Sequence, residues 1–304
     1  MSVEKGFETS SPEVYRTSKT IINKLRKNND LYLVNPTDYD VKTNTINNAY
    51  KLNDSYYLEK VIGKHVPKGD LFIIYGDETS KDIGLDFAKK QYAFLKNLKA
   101  SGNFSNYLNN PETEEKTMKD YLVNLTAQGD KDIGATYFLE DKNQVEALIK
   151  KYGELVVKPI FGCRGAGIFK VNNVSELENK IGFDKDTTKK YVLQEPLAGP
   201  EKRIVFLNDN LLCSRIHYNR PTPWNTSDSN LVTKIYEPTK KELDISKKYY
   251  DKLEADILGI DFIGDKINEL NGTGTGLIIY DHNDELLYDY TDSFVGEVDR
   301  LLRN

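Results

Sequence analysis

Leu155-Val156-Val157 is an apolar run that stops at Lys158-Pro159 and is followed by glycines at 162, 165 and 167. A short apolar run bounded by turn formers reads as a strand. Glycines at that density read as a loop. The surrounding sequence supplies its neighbours: strands over 136–139, 168–171 and 191–194, and helices over 143–152 and 175–181. This pattern predicts an antiparallel sheet carrying two helices.

Before it, Ser11-Pro12 gives a cap followed by Pro at the first helical position and predicts a helix over 12–28. A strand over 31–34, a polar Asn-rich stretch, a strand over 71–75 and a helical pattern from Leu85 to Leu98 follow, which suggests a small α/β layer. Asn110-Pro111 opens the next helix, so a boundary falls near 105–110. Toward the C-terminus, strands over 203–207 and 211–218 form a hairpin through Asn208-Asp209-Asn210. Residues 219–239 read as a long loop, 241–257 as a helix, 262–267 as a strand, and 277–290 as a strand pair. The expected fold class is α/β (α+β).

Composition excludes several functions. With 42 Lys and Arg against 47 Asp and Glu, the formal charge is −5, and no basic body is offered to nucleic acid. The N-terminal residues carry no apolar stretch and the apolar runs are too short for a bilayer, so a cytoplasmic location is expected and no membrane partner. Cys163 and Cys213 lie fifty residues apart, and the three histidines share no metal-ligand spacing, which argues against a redox pair or a zinc hydrolase.

Two clusters carry chemistry. Lys158 at a strand end, with Gly162, Gly165 and Gly167 after it, suits a cradle for phosphate oxygens; a plain glycine turn fits the same residues. Asp261, Glu269 and Asn271 supply oxygen donors, with Glu269 and Asn271 on one face of a strand, and so suit Mg²⁺; taken alone, these residues fit a solvated strand end better. Between them lie Gln194-Glu195-Pro196-Leu197, Glu201-Lys202-Arg203, Arg215 and Asn230, and Lys119 precedes them all.

That order along residues 106–275 resembles the ATP-grasp ligases, most closely the bacterial glutathione synthetases and the ribosomal-protein glutamate ligases. The resemblance implies an N-terminal α/β subdomain (1–108), a central lid subdomain (109–195) and a C-terminal subdomain (196–304) that carries the Mg²⁺ site. It implies ATP held by Lys119 and Lys158, with the loop of Gly162, Gly165 and Gly167 closing over it. Gln194, Glu195 and Leu197 would read adenine, and Glu201 the ribose. Asp261, Glu269 and Asn271 would bind two Mg²⁺, while Arg203 and Arg215 would act near the γ-phosphate and the acceptor. Asn230 stands for the family's Arg-x-Asn motif. The implied reaction is ATP-dependent joining of a carboxylate to an amine through an acyl phosphate, on an amino acid, a small peptide or a peptide side chain. Relatives commonly form homodimers or homotetramers.

The chain also departs from the family. Lys119 falls one residue closer to the Asn109-Asn110-Pro111 lead-in, and Phe72–Glu78 lacks the Arg-x-x-Pro-Pro setting, so glutathione synthesis is not expected. Asp228-Ser229-Asn230 has lost the arginine, and Gly272-Thr273-Gly274 replaces the usual continuation after Asn271. A modifier or macrocyclase of a ribosomally made precursor peptide is therefore an alternative, and a non-catalytic nucleotide-binding protein a second. His217 as a base, Trp224 as a stacking residue and Cys163 as a nucleophile compete with plain packing.

Overall fold

A computed structural model of the chain describes residues 12–33, 39–40, 42–43, 45–52, 58–65, 69–74, 85–160, 165, 167–184, 188, 190–218, 232–272, 276–281, 283 and 285–303. The first elements are α1 (Pro12–Leu25), β1 (Tyr32–Leu33), β2 (Tyr39–Asp40), β3 (Thr45–Leu52), β4 (Leu58–His65), β5 (Gly69–Ile73), α2 (Leu85–Ala100) and β6 (Phe104–Leu108). Strands β5 and β6 pair in parallel, as a strand–helix–strand unit requires. The polar Asn-rich stretch, to which the sequence reading assigns no element, builds β3 and β4, an antiparallel pair to which β1 and β2 add. In β3 the buried Ile46 and Ala49 are separated by Asn47 and Asn48, which breaks the alternation that reveals a strand.

Next come α3 (Pro111–Lys116), α4 (Lys119–Ala127), β7 (Thr136–Phe138), α5 (Lys142–Tyr152), β8 (Leu155–Pro159), β9 (Phe169–Val171), α6 (Val174–Ile181) and β10 (Tyr191–Gln194). The strands form one antiparallel sheet in the order β7-β10-β8-β9. Side chains of Asp141 and Asn173 cap α5 and α6, and Gly153 and Gly182 end them at positive φ. Val145, Leu148 and Leu177 from these helices pack on Leu155, Val157, Val171 and Leu193.

The last elements are β11 (Glu201–Leu207), β12 (Asn210–Tyr218), β13 (Val232–Ile235), α7 (Lys240–Leu253), β14 (Ile257–Ile263), β15 (Lys266–Asn271), β16 (Ile278–Tyr280), β17 (Leu286–Asp289) and α8 (Thr291–Arg303). The five-stranded order is β13-β12-β11-β14-β15. Here two expectations are corrected and one element is added. The single strand over 262–267 is two strands turning at Gly264, whose φ is 64°. The long loop over 219–239 contains β13, because Thr233 and Ile235 pair with His217 and Arg215 and satisfy the edge of β12. The C-terminal residues, unassigned from sequence, form α8.

Alternation on this sheet positions the site. Ile204, Leu258, Ile260 and Phe262 face a core completed by Ile245, Tyr249 and Leu253 of α7 and Leu122 and Leu125 of α4. On the opposite face, Val205, Leu207, Cys213 and Ile257 pack with Ile21, Leu25, Phe294 and Val298 of α1 and α8. Farther along the same strands that face turns polar, at Glu201, Arg203, Arg215, His217 and Asp261. No helix among the described residues is long and apolar enough to cross a membrane.

Candidate functional site

Register brings the polar residues into one row. Arg203 stands opposite Arg215 on one side and Asp261 on the other, and Asp261 stands opposite Glu269. Directly opposed residues share a face, so Arg215, Arg203, Asp261 and Glu269 form a line across four strands. Ile235 continues it on β13.

Asp261 is 2% exposed and is the one charged residue of β14. Its carboxylate accepts two bonds from Arg203, from Nε at 2.5 Å and Nη2 at 2.6 Å, and a third from Asn271 Nδ2 at 3.2 Å. A buried carboxylate requires such partners. Lys119, at the start of α4, reaches Glu269 Oε1 at 3.0 Å. Arg215 is buried and donates from Nη1 to the Gly276 carbonyl at 3.1 Å. The acids and amide expected to bind metal are thus adjacent, each beside a cation or a donor.

The central sheet supplies a second wall. Lys158 on β8 is 3% exposed and donates from Nζ to Asn268 Oδ1 at 2.7 Å. Gln194 is buried at the end of β10, where its Nε2 donates to Thr136 Oγ1 at 3.1 Å. The Glu195 carboxylate accepts from the Ala135 amide at 3.0 Å and pairs with Lys266. Leu197 and Ile168 pack on Val156 and Ile263, a small apolar cluster between the two sheets. Gly134 is a glycine of necessity there: a Cβ would lie 2.9 Å from Leu197 and 3.2 Å from Gln194. Gly167 has φ 74°, and a Cβ on it would lie 2.9 Å from the ring of Pro159. Gly165 also takes a positive φ. Gly162, Cys163, Trp224 and Asn230 lie outside the described residues.

Glu201, buried at the start of β11, faces His217 across the pair with β12. His217 shares a hydrogen bond with Thr233 Oγ1 at 3.0 Å. Burial first, then the charges of Arg215 and Arg203, push its pKa down to about 3, so its ring is neutral and weakly basic. That argues against His217 as the base considered from sequence. Among the described residues no three of His, Cys, Asp and Glu converge as a metal cluster. Two carboxylates and an amide oxygen nevertheless suit a hard cation such as Mg²⁺, which takes few protein ligands and completes its shell with water and phosphate.

Sequence reasoning missed Asn268 and Asn109. Asn109 is fully buried; its Nδ2 donates to the carbonyls of Ile257 at 2.7 Å and Gly272 at 3.0 Å, and its Oδ1 accepts from the Asp256 amide at 2.8 Å. It fixes the start of β14 and the residue after Asn271. The signal was present in Asn109-Asn110-Pro111, which was read only as a helix lead-in.

Comparison with known proteins agrees with this geometry. The family model for the prokaryotic glutathione synthetase ATP-grasp domain matches residues 122–280, just over half of the chain. Glutathione synthetase of Mesorhizobium japonicum is 28% identical over 151 residues, covering 45% of this chain and 47% of that protein. The chain thus spans about half the length of the curated relative it matches. Among solved structures, the ATP-grasp ligase PsnB complexed with minimal precursor superposes with a TM-score of 0.62 at 12% identity, over 93% of this chain and 94% of that one. D-alanyl-alanine synthetase A from Vibrio cholerae O1 gives 0.60 at 12% identity, over 98% and 95%. The shared architecture is the ATP-grasp fold.

Proposed function

The chain belongs to the prokaryotic glutathione synthetase ATP-grasp family, and from that premise we propose that it is an ATP-dependent carboxylate–amine ligase of the cytoplasm. The observation that carries this reading is the row of Arg215, Arg203, Asp261 and Glu269, flanked by Lys119 and Lys158. Fixed charges of both signs in one row suit a polyanion undergoing phosphoryl transfer, where catalysis is positioning plus charge stabilisation. We take the chain as three subdomains bounded near residues 108 and 195, a division supported by the separate sheets.

In this reading Lys119 and Lys158 hold the phosphates, with Gly162, Gly165 and Gly167 above them. The apolar cluster of Val156, Ile263, Ile168 and Leu197 takes the adenine ring, whose edge is read beside Gln194 and Glu195, and Glu201 takes the ribose. Asp261, Glu269 and Asn271 hold two Mg²⁺, which when bound neutralise phosphoryl charge. A substrate carboxylate oxygen attacks the γ-phosphorus and ADP leaves. The amine nitrogen then attacks the acyl carbon, inorganic phosphate leaves, and the nitrogen gives up a proton. Arg203 and Arg215 stabilise the oxyanion between these events.

A peptide substrate is the second reading. Ile235, exposed, stands opposite Arg215 at the edge of the same sheet and offers an apolar contact to a chain longer than one amino acid. PsnB, similar over the full length, is a ligase solved with a precursor. Any assembly into homodimers or homotetramers belongs to this proposal as well.

The test is Mg²⁺-dependent ADP release against a panel of amino acids, dipeptides and precursor-type peptides, with mass spectrometry of the products. ADP release tied to one acceptor, with loss of one water from the joined product, is expected. ATP binding without ADP release from any acceptor would contradict the ligase reading.

A further inference from the structure

Strand β15 pairs with β14 in two registers: Glu269 stands opposite Asp261, yet Ile267, not Asn268, stands opposite Phe262. Asn268 is the extra residue of a β-bulge, a device that re-aims a side chain beside a site. Ile267 and Leu270, three apart, both reach the apolar core under α7, which an uninterrupted strand would forbid. Asn268 is thereby directed at the central sheet, where it is 7% exposed and accepts the Lys158 ammonium at 2.7 Å. Its own carbonyl lies 3.5 Å from Gln194 Nε2, and the flanking Ile267 carbonyl accepts the Gly134 amide at 2.8 Å. One bulged residue therefore touches the phosphate lysine, neighbours the adenine hinge and precedes the metal-binding Glu269.

We propose that Asn268 is a positioning residue for nucleotide binding: it holds Lys158 in place with a neutral oxygen, which adds no negative charge of its own against the polyphosphate. An ammonium has donors only, so it must meet the amide through oxygen. A carboxylate at this place would bind Lys158 as tightly but would cancel its field. The residue acts through Lys158, and the inference rests on the cleft being the ATP site.

Titration calorimetry with ADP and, separately, with adenosine separates charge from shape. Asn268→Asp is nearly isosteric and adds one negative charge within reach of Lys158, so ADP affinity is expected to fall by about tenfold or more in low salt. Adenosine, which has no phosphate, should bind the variant as it binds the wild type, and high salt should narrow the ADP gap. Asn268→Ala, which adds no charge, should lose less ADP affinity than Asn268→Asp and none for adenosine. An Asn268→Asp protein that binds ADP as the wild type does would overturn the proposal. So would equal weakening of both ligands in both variants, which would mark a structural role. A wild type that binds neither ligand would instead overturn the ATP-site reading itself.

Discussion

Asp261 is buried and Asp256 half-buried on the same stretch of chain, and their surroundings treat the two carboxyls differently. Asp261 is paired with Arg203, whose guanidinium balances the carboxylate. At Asp256, burial and the nearby carboxylate of Glu297 push the pKa up to about 6, against the opposing charges of Arg300 and Lys99. In the unfolded chain the value is about 3.9. Between those values the folded state holds a proton that the unfolded state has released, so this group's contribution to stability is lost as pH rises from about 4 to about 6. Asp256→Asn is expected to flatten that decline and to raise stability at pH 7, as read by urea unfolding across pH. An unchanged profile would contradict the assignment. Asp261, Glu269 and Asn271 were legible as a set because their spacing is carried by one hairpin. Asn268 was not, since a bulge is set by pairing between two strands and leaves no mark in the composition of one.

At the scale of elements, what local rules specify was read correctly. Asn208 and Asp209 take positive φ at 46° and 65° and turn β11 into β12, and Asn110 caps α3. What failed depends on pairing between strands: β13 forms because β12 offers an edge, and β3 and β4 form because each completes the other. Helix α7 shows the local and distant kinds combined. Thr239 and Glu242 make a capping box, while Glu242 also accepts from Tyr236 at 2.6 Å and pairs with Lys202 on β11. The cap therefore fixes the helix against the sheet whose other face holds Arg203. Thr239→Ala should cost about 1 kcal/mol of stability, measured by chemical denaturation, with nucleotide affinity unchanged; no loss would mean that the Lys202 contact suffices alone.

At the scale of the whole molecule, the layers meet through apolar contacts that leave one polar seam. Met118, Ile160 and Val192 pack with Tyr92, Phe94, Leu95 and Leu98 of α2, and Leu108 of β6 joins the cluster under α8. Asn109 crosses from β6 to β14 by hydrogen bonds, which ties the first strands to the strand that carries Asp261. The seam between the sheets is where Lys158, Asn268, Glu269 and Lys119 meet. Its chemistry was legible in the order of residue types along the chain, whereas the row across four strands appears only in three dimensions. The central claim is that this row performs metal-dependent phosphoryl transfer. The most direct measurement is Mg²⁺-dependent ADP release by the wild type and by Glu269→Gln, with thermal unfolding followed in parallel. Glu269 lies at the partly exposed end of the row, so the variant is expected to fold and melt as the wild type does while releasing no ADP above the Mg²⁺-free background. Wild-type turnover in Glu269→Gln would contradict the account.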